Sequence, residues 1–462
     1  MSDCAEFYRL RDRRTSEYLG GAGLPQAPLH VAVDAAAASC ASGQLALLAL
    51  ANQLSRVNRR ISFAVPDPGV PVLVRTPFSG ATLGEVLLGT VRSIDPCGSF
   101  VLGCQPDQSV VSIGLGEHVG TGFDWYIGAD GAVAFLNHSP VAFTPRVATL
   151  RGAAAASCLG AAALFRAQLG LTVVARVLSA WNYAEGASAV YGPDSLNPID
   201  VGSVLVVGAG AVAASLVYWL RMFGVAGDWT IVDKDTIRFH NTNRGLIFTA
   251  AHAGWPSLKH RQTARKAEVL ADLIPGAQAL PWWYDECETL RNEQPDVILG
   301  LANDRNVRHL LAARSATVTL HATTSANWQS QLHRHITGRD DCIYCRAGEM
   351  QQPVFGCSNG IVTLPHGQRT DAALPFLSAA SGLMLATSLQ RLQGGELAGG
   401  SRNDWRWDFD SPFKMATSGV RRCSEGCRRV APGHLRRHMN AGNRWHVLDG
   451  DELDDQRRDW KH

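Results

Sequence analysis

Ser203-Val-Leu-Val-Val207 runs straight into Gly208-Ala209-Gly210-Ala211-Val212-Ala213 and then into an apolar-periodic stretch ending at Gly224. A strand that turns through two glycines into a helix is the most constraining local feature of the chain. Backbone N–H groups there must come close to whatever sits at the positive end of the helix, and side chains at the two glycine positions would block that approach. The next strand, WTIVDKD at 229–235, brings Asp233 to its end, 25 residues after Gly208, where a carboxylate can accept both ribose hydroxyl protons. These parts predict a Rossmann-like unit, with Ala213 in place of a third glycine. They serve a tight packing turn, an NAD or FAD site and an ATP site equally well.

The pattern continues with an expected helix over about 259–274, a strand at 278–283, the strand VILGLA at 297–302 and another at 317–323. Such alternation argues for an α/β domain with a mainly parallel sheet. A similar plan stands earlier in the chain: the short strand LHVAV (29–33), a helical stretch through SGQLALLALANQLSRVN, and the strand ISFAV (61–65), without the glycines that a phosphate needs. Each copy is followed by an Ala-rich helix, at 151–168 and 376–392. Duplication sets the expected organisation. Residues 1–183 form a first domain, the Gly/Ser/Pro-rich 184–202 a linker, 203–430 the glycine-turn domain, and 431–462 a charged tail with no assigned role.

A length of 462 residues exceeds what a single core usually supports, which agrees with two domains. A formal charge of +2 and the absence of a Lys/Arg-rich run argue against nucleic acid as the main partner. The polar N-terminus has no apolar signal region, and the most apolar stretches, about 152–165 and 372–389, fall short of a membrane span. The expectation is therefore a cytoplasmic protein without a membrane partner. Eleven cysteines in a reducing compartment are not expected to form a disulfide framework; they direct attention to metal ligands and a nucleophile.

The stretch Asp233-Lys-Asp-Thr-Ile-Arg-Phe-His-Asn241-Thr-Asn243-Arg244, with Lys259 beyond it, separates the nucleotide readings. A dehydrogenase has no use for a fixed arginine and lysine just past the ribose carboxylate. An enzyme that adenylates must neutralise a triphosphate and its transition state. The competing reading is a surface helix with solvated charges. The pattern D-x-D-x5-N-x-N-R, the later lysine and two downstream cysteine pairs resemble the adenylation domain of the ubiquitin-activating-enzyme superfamily, over roughly residues 200–430. The resemblance implies an ATP site in which Gly208 and Gly210 approach the phosphates. In it Asp233 binds ribose, Asn241 and Arg244 hold phosphates, and Lys259 serves the α-phosphate as charge develops. A magnesium carboxylate is expected five residues before an Arg; counting back from Arg308 gives Asn303, with Asp304 one place later. A hard cation prefers the ionised oxygen of Asp304, whereas Asn303 fits the register, so both stay candidates.

Cys342-x-x-Cys345 and Cys423-x-x-x-Cys427 each have a spacing that lets two thiolates reach one tetrahedral ion, and the resemblance implies a structural zinc held by all four. Cys357, in VFGCSNG, is the candidate acceptor: an accessible loop thiol can attack an acyl adenylate and form a thioester. Cys4, Cys40, Cys97, Cys104, Cys158 and Cys287 have no such context, and Cys40 and Cys158 read as core residues. Residues 1–183 resemble, more faintly, the degenerate, inactive adenylation half of larger activating enzymes. By that analogy a basic residue among Arg9, Arg11, Arg13 and Arg14 would reach the ATP phosphates, and a homodimer stays open. The implied function is activation of a ubiquitin-like (β-grasp) protein by C-terminal adenylation, thioester formation and transfer to a conjugating enzyme. The design is similar to prokaryotic ubiquitin-like conjugation operons, some of which act in antiviral defence. The alternatives are adenylation of a ThiS/MoaD-like sulfur carrier without a thioester, and a non-catalytic scaffold that binds a β-grasp protein.

Overall fold

The computed structural model describes residues 2–13, 26–103, 110–144, 149–193, 196–256, 263–287, 290, 295–302, 307–308, 310–311, 318–325, 328–336, 340–342, 361–363, 369–371, 374–399 and 402–410. The first sheet is built from β1 (Leu29–Val33), β2 (Arg60–Ala64), β3 (Ser99–Leu102), β4 (Val111–Leu115), β5 (Trp125–Asp130), β6 (Val133–Asn137), β7 (Phe143–Thr144) and β8 (Arg176–Ser179). Its order is β3-β2-β1-β4-β5-β6-β8, parallel from β3 to β5 and antiparallel at β6 and β8, with β7 beside β5. The second contains β9 (Ser203–Val207), β10 (Asp228–Val232), β11 (Gln278–Leu280), β12 (Val297–Gly300), β13 (Val318–Ser325) and β14 (Gln329–Ile336). After a separate antiparallel pair, β15 (Ile361–Thr363) with β16 (Arg369–Asp371), it is completed by β17 (Asp404–Asp408). Its order is β11-β10-β9-β12-β13-β14-β17, again parallel for five strands and antiparallel for the last two. Both sheets are thus mainly parallel, as expected, with two antiparallel strands at one end that make them mixed, and they share one strand order.

The helices are α1 (Ser2–Arg11), α2 (Ala35–Ala38), α3 (Ala41–Ser55), α4 (Leu83–Ile94), α5 (Arg151–Gln168), α6 (Ala211–Phe223), α7 (Lys266–Ala271) and α8 (Pro375–Gln393). In each half a long helix, α5 or α8, precedes the last strand. Local sequence explains their ends. At α4, Thr82 Oγ1 accepts the Glu85 N–H while the Glu85 carboxylate accepts the Thr82 N–H, a reciprocal cap. The helices α3, α5 and α8 have no single apolar stripe, because they are buried on every side; α3 is buried continuously from Gly43 to Ser55. They lie in a layer in which α3 packs on α5, α5 on α8 and α8 on α6, so one apolar core runs through both halves. Small residues let the axes approach. A Cβ on Gly382 would stand 2.5 Å from the Leu216 nitrogen. Nearby, Trp219 Nε1 donates to the Ala379 carbonyl at 2.8 Å.

Several sequence expectations shift. The strand expected at 278–283 stops at Leu280 because Pro281 has no N–H to continue a ladder. The helix expected from 259 begins, among the described residues, at Lys266, since Arg265 has extended backbone angles. A disulfide joins Cys4 to Cys97, with Cα atoms 5.6 Å apart, a pairing not foreseen by the expectation of no disulfide framework. Cys158 is buried as expected, whereas Cys40 is half-buried and caps α3 through its sulfur. No helix among the described residues is long and apolar enough to cross a membrane.

The α6–α8 contact gives a direct test. Gly382→Ala should lower the denaturant midpoint by an amount equivalent to about 1–3 kcal/mol, the usual penalty for forcing extra volume into a filled core. The slope should not change. A variant as stable as the parent would mean that the two helices do not approach this closely.

Candidate nucleotide site

The turn after β9 is shaped by two glycines with different duties. Gly208 has a φ of +98°, and a Cβ there would lie 2.6 Å from the Ala302 nitrogen. Its N–H donates to the Val232 carbonyl, and the Leu301 N–H to Val207, so the turn is folded tightly onto the ends of both β10 and β12. Gly210 is the N-cap of α6, and among the described residues a Cβ there would meet nothing within 4 Å. One glycine permits a close backbone approach while the other faces open space at a helix N-terminus, which is the free volume an anionic group needs.

Asp233 follows β10 and closes the turn from the side. Its Oδ2 accepts the Ala209 N–H at 2.6 Å and its Oδ1 the Asp235 N–H at 2.8 Å. Burial pushes this carboxyl above the usual range, against the pull of Lys266 and the two backbone donors. Lys266, the first residue of α7, places Nζ 2.7 Å from Asp235 Oδ2. Burial raises Asp235, but the Lys266 bond and the charges of Lys266, Lys234 and Arg238 outweigh it and hold the group below its ordinary value. Just past β11, Arg265 donates to the Pro281 carbonyl, and Lys234 Nζ sits 2.9 Å from the centre of the Trp283 ring. Trp282 and Trp283 are 60% and 42% exposed, large values for indoles beside a strand-end crevice.

The segment carrying Asn241 and Arg244 lies against the same helix. Asn241 Oδ1 accepts the Arg238 N–H at 2.9 Å and so shapes the one-turn helix Phe239–Asn241; Arg244 is buried at 3% exposure. A Cβ on Gly245 would stand 3.3 Å from Ala214 Cβ, in the first turn of α6. The structure therefore places Gly208, Gly210 and Asp233 at the start of α6, with Gly245, the neighbour of Arg244, against the first turn of that helix. Lys259, Asn303, Asp304, Cys345, Cys357, Cys423 and Cys427 lie outside the described residues. The chain enters 303–304 directly from Ala302, the residue against which Gly208 packs. Cys342 is described and buried. No group of three or more metal-ligating side chains occurs among the described residues.

Lys266 is the residue that sequence reasoning missed, and it left a signal. A basic residue in the first turn of a helix faces the positive end of the dipole, so its presence there calls for a compensating carboxylate. Asp235 is that carboxylate. The N-terminal arginines call for a correction. Arg11 is fully buried and held by Asp12 and Asp95 at 2.7 Å each, so it cannot also reach a nucleotide; exposed Arg9 pairs with Glu6. Arg14 lies outside the described residues.

With this geometry in place, residues 183–412 match the model of the ThiF family, and through this domain the chain belongs to the ubiquitin-activating-enzyme superfamily. The family is one of adenylating enzymes. A curated relative, uncharacterized protein y4jF of Sinorhizobium fredii (strain NBRC 101917 / NGR234), is 26% identical over 258 residues, 54% of this chain and 47% of its own, so the chain spans about half that relative's length. Among solved structures, Escherichia coli MccB with ATP is 14% identical at a TM-score of 0.36, covering 49% of this chain and 65% of MccB. MccB in complex with N-formylated MccA, described as a microcin C7 biosynthetic enzyme, is 14% identical at a TM-score of 0.35, covering 49% of this chain and 67% of MccB. These overlaps are too distant to carry residue roles across.

The end of β12 has a titrating reporter. His321 on β13 donates from Nδ1 to the Gly300 carbonyl, and loss of solvent, together with the charge of Arg308, pushes its pKa down to about 3. A depressed histidine contributes stability that is fully present above the unfolded value near 6.5 and is lost as pH falls toward about 3. The parent should therefore lose up to about 1.4 kcal/mol per pH unit in that window through this group, and His321→Gln should flatten the slope. A ring that titrates near its ordinary value by NMR would contradict the placement.

Proposed function

We propose that the chain uses ATP to adenylate the C-terminal carboxylate of a ubiquitin-like, β-grasp protein in the cytoplasm, then forms a thioester on Cys357 for transfer to a conjugating enzyme. The observation that carries the nucleotide part of this reading is the open face of Gly210 beside Asp233, Lys266 and the Arg244 segment. One group there suits each part of ATP: the helix start and basic residues donate to phosphates, and Asp233 accepts from ribose hydroxyls. The exposed indoles of Trp282 and Trp283 offer a stacking surface for the base. The partner's carboxylate oxygen attacks the α-phosphorus, the α–β bridging bond breaks, and pyrophosphate departs. The Cys357 thiolate, its proton lost to solvent, then attacks the acyl carbon and AMP leaves. Asn303 or Asp304 would hold magnesium, which neutralises phosphate charge when bound. Cys342, Cys345, Cys423 and Cys427 would hold a structural zinc.

The first half supports the reading by contrast. At the equivalent strand end after β1, Asp34 accepts the Ala37 N–H at 2.6 Å and the His118 N–H at 2.7 Å, so the chain's own carboxylate fills that helix start. An anion there would meet a negative charge. We read this half as the degenerate copy, one that binds no nucleotide.

Partner-dependent ATP–pyrophosphate exchange tests the assignment. Arg244→Ala and Lys266→Ala should each slow exchange by about 100-fold or more, with Lys259→Ala run beside them to decide which lysine serves the α-phosphate. Unchanged exchange in both Arg244→Ala and Lys266→Ala would remove the assignment. For the second step, Cys357→Ala should keep exchange and abolish a reductant-sensitive adduct with the β-grasp protein on a non-reducing gel. Rapid exchange without any adduct on the parent chain would replace the thioester with the sulfur-carrier reading.

A further inference from the structure

Across the shared core, α3 of the first half meets the segment that carries Arg244. Arg56, the C-cap of α3, is fully buried. Its Nη1 donates to two backbone carbonyls, Thr242 at 2.5 Å and Phe248 at 2.9 Å. One helical turn earlier, Asn52 donates from Nδ2 to the Leu246 carbonyl at 3.0 Å, and its Oδ1 accepts Arg56 Nε at 2.9 Å. Two side chains at i and i+4 on one helix face therefore hold three carbonyls of a single seven-residue turn, 242–248, and also hold each other. Burial, with no carboxylate bonded to the guanidinium among the described residues, pushes Arg56 down to about 9. A buried cation without an acid to bond is expensive to keep, which argues that it is retained for what it positions.

We propose that Asn52 and Arg56 are positioning residues for Arg244: the first half of the chain clamps the turn 242–248 so that Arg244 is already set when nucleotide arrives. The inference rests on the nucleotide reading above. It gives the first half a task other than binding ATP. Three buried carbonyls need donors whatever the function, but the donors here come from more than 180 positions away, and each bond spans the two halves. Lysine is a poor substitute for Arg56, because an ammonium has no Nε to bond Asn52 while Nη1 holds two carbonyls at once. A turn released from the clamp samples many conformations, and a shift of about 1 Å in a phosphate-binding group can cost on the order of 100-fold in a reaction rate.

The test uses the full chain and two readouts. In hydrogen exchange without ligand, Arg56→Met should expose amides of 242–248 at least about tenfold faster while leaving β9 and β10 unchanged, with Arg56→Lys and Asn52→Leu intermediate. Calorimetry with magnesium and ATP should show weaker binding by about tenfold in Arg56→Met, with adenosine affinity unaltered, and little further loss when Arg56→Met is added to Arg244→Ala. If Arg56→Met fails to fold, the Lys and Asn52→Leu variants carry both readouts. Turn amides protected as in the parent, or an ATP loss that persists in full on the Arg244→Ala background, would overturn the clamp. A parent chain that binds no ATP would instead sink the nucleotide reading, and the exchange data would still decide whether the clamp exists.

Discussion

The close approach of the Gly208 turn to the ends of β10 and β12 is the constraint on which the candidate site depends. With a positive φ and no room for a Cβ against Ala302, the turn can point the Ala209 N–H at Asp233 while leaving Gly210 facing open space. Any larger residue at 208 would push the turn off β12, and the start of α6 would move with it. Because Asn303 and Asp304 follow Ala302 directly, the same contact sets where the chain leaves β12. A single glycine thereby ties the start of α6, the Asp233 carboxylate and the end of β12 into one unit.

The second organising fact is that the chain contains this strand order twice, with helix starts that are built differently. Both sheets run 3-2-1-4-5 in parallel, followed by two antiparallel strands, with a fully buried Ala-rich helix before the last. At one helix start no described residue stands over the Gly210 backbone. At the other, the Asp34 carboxylate caps the Ala37 N–H and also accepts the His118 N–H, placing a negative charge at that helix start. Self-filling of a helix start stabilises the fold at no ligand's expense, and it removes the positive end that an anion would seek. The buried layer of α3, α5, α6 and α8 then makes the two halves interdependent, because neither could expose those helices to water without unburying most of its core.

Much of this was legible in the residues. Apolar runs and glycines located β9, α6 and β10, and the Ala-rich segments located α5 to the residue and α8 to within one. The position of Asp233 was legible because a residue just after the second strand must lie beside the turn that follows the first. What sequence could not show was pairing at a distance. Lys266 beside Asp235 is such a pair, because only the fold brings that helix start to the carboxylate, whereas Lys259 lies outside the described residues. The Arg11–Asp95 pair, which takes Arg11 out of contention for phosphate, joins residues 84 positions apart. The Cys4–Cys97 bridge was missed for a similar reason, since composition and compartment speak to many cysteines at once and not to two that meet.

The central claim is that one half binds nucleotide and the other does not, and binding stoichiometry tests it most directly. Isothermal titration of the intact chain with ATP and magnesium should give one nucleotide per chain, lost in Asp233→Ala and retained in Asp34→Ala. Two nucleotides per chain would contradict the reading of the first half, and none, in protein shown to be folded, would contradict the reading of the second.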